Sequence, residues 1–156
     1  MAPKGDTHTT TARQLVFKEA QSDEDYGRAY PLLCQLVPGL DLKTYHQRLF
    51  AARDAGYRMF IAEIGGKIIG MIGLAPNHNI HDGSSIFIEQ TFIDSAHRGC
   101  GYGAMLLEFA ENYAKEQGFN LVELDLDFND DAAEEFYLRH GYRASGRYLY
   151  KEWQPA

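Results

Sequence analysis

Two cysteines in 156 residues, Cys34 and Cys100, are too few and too far apart to form a disulfide framework or a zinc site, since there is no CxxC pair and no Cys/His ligand spacing. Reduced thiols in a cytoplasmic protein are the expectation. Long apolar runs are missing as well. None approaches the ~20 residues of a membrane span, and the opening MAPKGDTHTTTARQ places no apolar stretch behind Lys4. Neither a transmembrane nor an ordinary secretory protein is expected on these grounds. Basic residues are scarce: 15 Lys and Arg face 22 Asp and Glu, a formal net charge of −7. That balance opposes sequence-independent contact with a phosphate backbone, so no nucleic-acid partner is expected, and a cationic partner fits better. Internal repeats and low-complexity tracts are also absent.

What is present suits one domain: 45 % apolar and 13 % aromatic residues, in a chain of a size that buries roughly 70 % of its unfolded surface. Residues 1–13, rich in Thr and without apolar periodicity, read as a flexible leader, and the domain runs from Gln14 to the end of the chain. Leu15-Val16-Phe17 suggests a short strand. Ser22 or Asp23 then caps a helix through about Gln35, stopped by Pro38-Gly39, and Asp41 caps a second that ends near Ala55-Gly56. Two β-rich runs, Tyr57 to Ile64 and Lys67 to Leu74, flank Gly65-Gly66 and predict a hairpin. Pro76 to Ser84 reads as a loop, and its His78 and His81 have no third ligand to make a metal site.

Farther along, Ser85 to Ile93 reads as a strand, and Gly103 opens a helix whose Leu106, Phe109, Ala110, Tyr113 and Ala114 recur at helical spacing before Gly118. Leu121 to Phe128 alternates like a strand, with Glu123, Asp125 and Asp127 on one face. Asp131 to Arg139 is a short helix stopped by Gly141, and Tyr142 to Trp153 is expected to carry two more strands. The expected order is β-α-α-β-β-β-α-β-α-β-β, a mixed α/β domain with one sheet.

Function has to come from sites, and the sharpest is Arg98-Gly99-Cys100-Gly101-Tyr102-Gly103-Ala104 between a strand and an amphipathic helix. Three glycines allow a tight turn that brings backbone N–H groups up to an anion at the helix start, which is the chemistry of a pyrophosphate cradle. Gly99-x-Gly101-x-x-Ala104 formally fits the dinucleotide fingerprint. However, five residues separate it from its strand, and only 52 residues remain beyond Ala104, too few for a doubly wound sheet. No Gly-Lys-Ser/Thr follows, which removes a P-loop ATPase.

The stretch from Phe87 to Gly103, an apolar strand, a linker and Arg98-Gly99-x-Gly101-x-Gly103, resembles the coenzyme A-binding signature of the GNAT superfamily of acyl-CoA-dependent N-acetyltransferases. Ala133-Glu134-Glu135-Phe136-Tyr137, followed by Gly141-Tyr142, resembles that family's second signature about 30 residues on, and the likeness runs from about Gln14 to the end. It implies a single mixed-sheet GNAT-like domain with acetyl-CoA as cosubstrate and no metal. By the same resemblance pantetheine lies along Thr91, Phe92 and Ile93, with the Ile93 N–H polarising the thioester oxygen. Pyrophosphate would be held by Arg98, Gly99, Cys100, Gly101, Tyr102, Gly103 and Ala104. Where the family often has Asn this chain has Asp130, so the pantetheine contact falls to Asn129.

Transfer of an acetyl group to an amine needs a neutral nucleophile and a proton for the leaving thiolate. The resemblance makes Tyr137 the general acid. Glu89 interrupts an apolar strand and is a candidate base acting through a water, with Asp125, Asp127 and bulk water as rivals. Cys100 has no side-chain base beside it, so direct attack is favoured over an acyl-cysteine. The reading is an N-acetyltransferase acting on a primary amine, cationic beyond its reacting nitrogen and carried by a small molecule or a protein. The competing reading is a coenzyme A-binding module or sensor without turnover. The aromatic run Tyr148 to Trp153 is read as packing or as a contact between subunits of a homodimer.

Overall fold

Side-chain hydrogen bonds decide where the first helices begin. In the structure, a computed structural model that describes residues 14–153, α1 (Asp23–Leu36) starts at Ser22. The Ser22 hydroxyl accepts from Asp25 N at 3.1 Å, and the Asp25 carboxylate accepts from Ser22 N at 3.3 Å, a reciprocal cap. α2 (Leu42–Asp54) starts at Asp41, whose carboxylate takes Thr44 N at 3.0 Å. Residues 1–13, read as a leader, lie outside the described residues.

Five strands, β1 (Leu15–Glu19), β2 (Arg58–Ile64), β3 (Lys67–Asn79), β4 (Gly83–Ile93) and β5 (Leu121–Leu124), form one sheet in the order β1-β2-β3-β4-β5. The first three pairings are antiparallel and β4–β5 is parallel. α3 (Tyr102–Glu116) makes the crossover between the parallel pair, and α4 (Asp131–Arg139) follows β5. The period-2 alternation of β2 and β3 loads both sides of the sheet. Met59, Ile61 and Met71 pack with Tyr26, Leu33, Tyr45 and Leu49 of α1 and α2. Phe60, Ile69 and Ile72 pack with Leu106, Leu107 and Ala110 of α3. A mixed sheet covered by helices on both faces, in the expected order through α4, is therefore the architecture.

Three expectations are corrected. Pro76 to Ser84 is not a loop: β3 runs to Asn79 and β4 begins at Gly83, with Asn77 opposite Ser85 and His78 opposite Ser84. A two-stranded ribbon is built from backbone bonds and tolerates polar side chains, so composition misled. The turn is only Ile80 to Asp82, held by the Asn79 side chain, which accepts from His81 N at 2.9 Å and Asp82 N at 2.7 Å. His78 is spoken for across the ribbon, its Nδ1 lying 2.9 Å from Ser84 Oγ.

β5 stops at Leu124 instead of running to Phe128, because its only strand partner among the described residues, β4, is paired no farther than Ile88. The two strands expected between Tyr142 and Trp153 are not formed; that segment is irregular and finds no ladder partner among the described residues.

Candidate active site

The registers of β4 create the site. Gly73 of β3 pairs with Gln90 and Leu74 with Ile88, so Glu89 is an extra residue, a β-bulge. The sequence placed Glu89 in a largely buried strand; the bulge instead turns its side chain out, and it is exposed. Its charge adds to burial, the larger cause, in raising the Tyr57 phenol well above its ordinary value.

Beyond the bulge β4 has one free edge. Asp94 N donates to Ile69 O of β3 at 2.8 Å, and antiparallel alternation then turns Phe92 toward β3 and the backbone groups of Thr91 and Ile93 away from it. The β5 pairing has already ended at Ile88, so no described strand covers the edge from Glu89 to Ile93. β4 and β5 thus part beyond Ile88, leaving that edge without a strand partner among the described residues. Arg98 closes its far end: Nε donates to Ile93 O at 2.9 Å, and the guanidinium carbon lies 5.2 Å from the centre of the Phe92 ring.

After a single 3-10 turn (Ser95–His97), Gly99 and Gly101 adopt left-handed φ values of +75° and +84°. Gly101 is the N-cap of α3 and supplies no side-chain cap, and the first helical bond is Met105 N to Gly101 O at 3.3 Å. The N–H groups of Tyr102, Gly103 and Ala104 are consequently left without intrahelical partners at the positive end of a 15-residue helix. A Cβ at Gly99 or Gly101 would meet nothing within 4 Å, so space is open above the turn. At Gly103 it would come 3.7 Å from Phe136, an ordinary contact with α4. Cys100 is exposed, with its Sγ 3.7 Å from Arg98 O. His97 pairs with Asp94 at 3.3 Å.

Tyr137 projects from α4 into the core on the α3 side, half-buried, with ring centres 5.1 Å from Phe136 and 5.5 Å from Tyr142. Burial raises its phenol above the ordinary 10.0, the Asp130 charge adds to this, and the Thr91 hydroxyl opposes it. Thr91 Oγ1 itself is buried without a well-formed hydrogen bond among the described residues. Tyr137 and Thr91 are therefore brought together at the free edge of β4, with the phenol held in its proton-bearing form.

Asp130 is the N-cap of α4, accepting from Ala133 N at 3.1 Å, while the exposed Asn129 takes a left-handed φ of +71°. The carboxylate row Glu123, Asp125 and Asp127 does not share a strand face, because the strand ends after Leu124. Glu123 accepts from Asn77 Nδ2 at 2.8 Å and Ser85 Oγ at 2.5 Å, whereas Asp125 and Asp127 are exposed beyond the strand. Among the described residues no group of three or more His, Cys, Asp or Glu side chains could hold a metal ion.

Sequence reasoning missed the pairing of Tyr57 with Gln90, whose side chains meet at 2.8 Å beside the bulge. Gly73, a glycine inside an apolar strand, was the available signal.

A model of the acetyltransferase (GNAT) family matches residues 21–142. The uncharacterized N-acetyltransferase YhdJ of Bacillus subtilis is 31 % identical over 121 residues, covering 77 % of this chain and 85 % of that protein. An aminoalkylphosphonate N-acetyltransferase of Salmonella typhimurium is 32 % identical over 126 residues, covering 78 % of this chain and 81 % of that protein. Among solved structures, an aminoglycoside N-acetyltransferase in complex with CoA shares the fold at a TM-score of 0.79 and 16 % identity, over 99 % of this chain and 100 % of that one.

Proposed function

The chain belongs to the GNAT acetyltransferase family, and from that premise we propose that it moves an acetyl group from acetyl-CoA to a small primary amine by direct attack. The observation that carries the reading is the bare outer edge of β4 beyond Ile88, leading into the left-handed glycines and unpaired N–H groups that open α3. An extended amide-bearing arm can pair with such an edge as a strand would. Its diphosphate can take the N–H groups of Gly99 to Ala104 at the helix start.

In this reading Thr91, Phe92 and Ile93 align the pantetheine, and the Ile93 N–H stabilises the thioester oxygen as it gains charge. Arg98 and Asn129 flank the cosubstrate. Glu89 removes a proton from the acceptor amine through a water. The amine nitrogen bonds to the acyl carbon, the C–S bond breaks, and Tyr137 passes its proton to the departing sulfur. The raised phenol of Tyr137 suits the role, since it carries that proton throughout the neutral range.

The acceptor is proposed to be cationic beyond its reacting nitrogen. The −7 net charge, the exposed Glu89 and the exposed Asp125 and Asp127 raise the local concentration of cations. The relative named for aminoalkylphosphonate supports a small-molecule amine over a protein amine. No described helix is long and apolar enough to cross a membrane, and we place the activity in the cytoplasm, with its reduced thiols.

Melting the protein with acetyl-CoA, NAD and ATP in turn, and then with amines, tests the reading. At ~100 times Kd acetyl-CoA should stabilise by about 2.7 kcal/mol, with no effect from the other two nucleotides. Binding without release of free thiol in the presence of any amine would favour the sensor reading instead.

A further inference from the structure

Two buried side-chain polar atoms have no well-formed hydrogen bond among the described residues, Thr91 Oγ1 and the Tyr142 hydroxyl, and both residues stand beside Tyr137. Burying a hydroxyl without a partner costs stability, and an apolar side chain of the same shape removes that cost. A hydroxyl retained in such a place calls for a task that the resting fold does not show. The mechanism proposed above uses the backbone of Thr91 and leaves its side chain idle.

The surroundings tell the two hydroxyls apart. Tyr142 meets Tyr137 ring to ring, with centres 5.5 Å apart and planes at 66°, and its phenol is pushed well above the ordinary value by burial first and by the Glu111 charge next. Its hydroxyl answers to Glu111 of α3. Thr91 answers to Tyr137. Past the bulge, Thr91 and Ile93 are two residues apart on β4 and share one face of the sheet, and Ile93 packs in the same cluster as Tyr137 on the α3 side. Burial is the largest influence on the Tyr137 phenol and raises it; the Thr91 hydroxyl comes next and lowers it, which is the effect of an O–H group donating to the phenolic oxygen. The phenolate left when Tyr137 gives up its proton is half-buried and repelled by the Asp130 charge. A donor already in place counts most at that moment, because it needs no reorganisation.

We infer that Thr91 is a positioning residue for proton donation: its side-chain hydroxyl donates to the Tyr137 phenolic oxygen, aims the phenol's own proton at the departing sulfur and then holds the phenolate. The C–S bond breaks with its electron pair on sulfur, the proton leaves the Tyr137 oxygen for that sulfur, and Thr91 keeps its own proton throughout. The phenolate recovers a proton from solvent once coenzyme A has left. The bond is poorly formed at rest and tightens as the phenol turns to the thioester. This inference rests on the reading of Tyr137 as the general acid.

Steady-state kinetics and thermal melting of single and double variants of the full chain test it. Thr91→Val is expected to lower kcat about tenfold with KM for acetyl-CoA unchanged, and to melt no lower than the unaltered protein, because the hydroxyl it removes is buried and unpaired. Thr91→Ser keeps the hydroxyl and should keep kcat. In a Tyr137→Phe background Thr91→Val should cost nothing further, since Thr91 acts only through that phenol. Tyr142→Phe deletes the other unpaired hydroxyl and should leave kcat unchanged. Full kcat in Thr91→Val beside a fall in Tyr137→Phe overturns this inference and leaves the general acid standing, whereas full kcat in Tyr137→Phe overturns both. A loss in Thr91→Val also overturns it if Thr91→Ser shares that loss, if the melting temperature falls with it, if it recurs undiminished in the Tyr137→Phe background, or if Tyr142→Phe matches it.

Discussion

Tyr57 and Gln90 reach across β3 to meet directly over Gly73, the Tyr57 hydroxyl donating to Gln90 Oε1 at 2.8 Å. A Cβ at Gly73 would lie 2.4 Å from both of those oxygens, so the bond exists only because β3 has a glycine there. Gln90 adjoins the bulged Glu89, and the pair therefore fixes the strand where the candidate base is presented. Gly73→Ala is expected to destabilise by about 1–3 kcal/mol through overpacking and to lower turnover. Urea unfolding and steady-state rates check the two parts. A variant of unchanged stability would mean that Tyr57 and Gln90 are free to move aside.

Gly101 caps α3 at a φ of +84° with no side-chain help. A β-branched residue is strained there by about 1–3 kcal/mol and would reorient the N–H groups that follow. Gly101→Val should thus remain folded while losing its melting shift with acetyl-CoA. Full affinity in a folded Gly101→Val protein would remove the anion cradle from the account.

Tyr137→Phe keeps the ring against Phe136 and Tyr142 and deletes only the proton donor. Turnover should fall on the order of 10²-fold with acetyl-CoA affinity unchanged. Because the phenol is raised above 10.0, the unaltered enzyme should hold its acid form to beyond pH 10, and no alkaline limb from Tyr137 should appear below that. Glu89→Gln is expected to remove the acidic limb of the pH–rate profile. A limb that persists transfers the base to Asp125, Asp127 or water.

Asp25 is buried at the start of α1, where its carboxylate accepts from Lys18 Nζ at 2.5 Å, Gln21 N at 3.2 Å and Ser22 N at 3.3 Å. The Lys18 ammonium, ahead of the backbone donors, holds the carboxyl well below its ordinary 3.8. A depressed carboxylate stabilises the fold fully above the unfolded-state value and progressively less as pH falls below it. Asp25→Asn should therefore cost about 1–3 kcal/mol at neutral pH, with the gap from the unaltered protein closing below pH ~4. Denaturant curves at pH 7 and pH 3 measure both quantities.

Local chemistry was legible wherever it decided the structure. Ser22 and Asp41 cap their helices, Gly65-Gly66 joins a hairpin, and Gly99 and Gly101 turn left-handed where the sequence asked for an anion cradle. What escaped was decided by partners. Leu121 to Phe128 alternates evenly, but a strand lasts only as long as its neighbour, and β4 withdraws after Ile88. Glu89 looked buried because a bulge is invisible in an apolar run, and the polar ribbon around His78 looked like a loop because ladders are made by the backbone. Tyr148 to Trp153 has strand chemistry, yet alternation alone supplies no ladder partner, and none is found among the described residues.

The most direct measurement of the account is release of free coenzyme A thiol from acetyl-CoA, followed with and without a diamine, with the acetylated product identified by mass. Thiol release that depends on the amine, saturates with it, yields one acetyl group per thiol and falls about 10²-fold in Tyr137→Phe is the predicted result. Tight acetyl-CoA binding with no amine-dependent thiol release across an amine panel would contradict it.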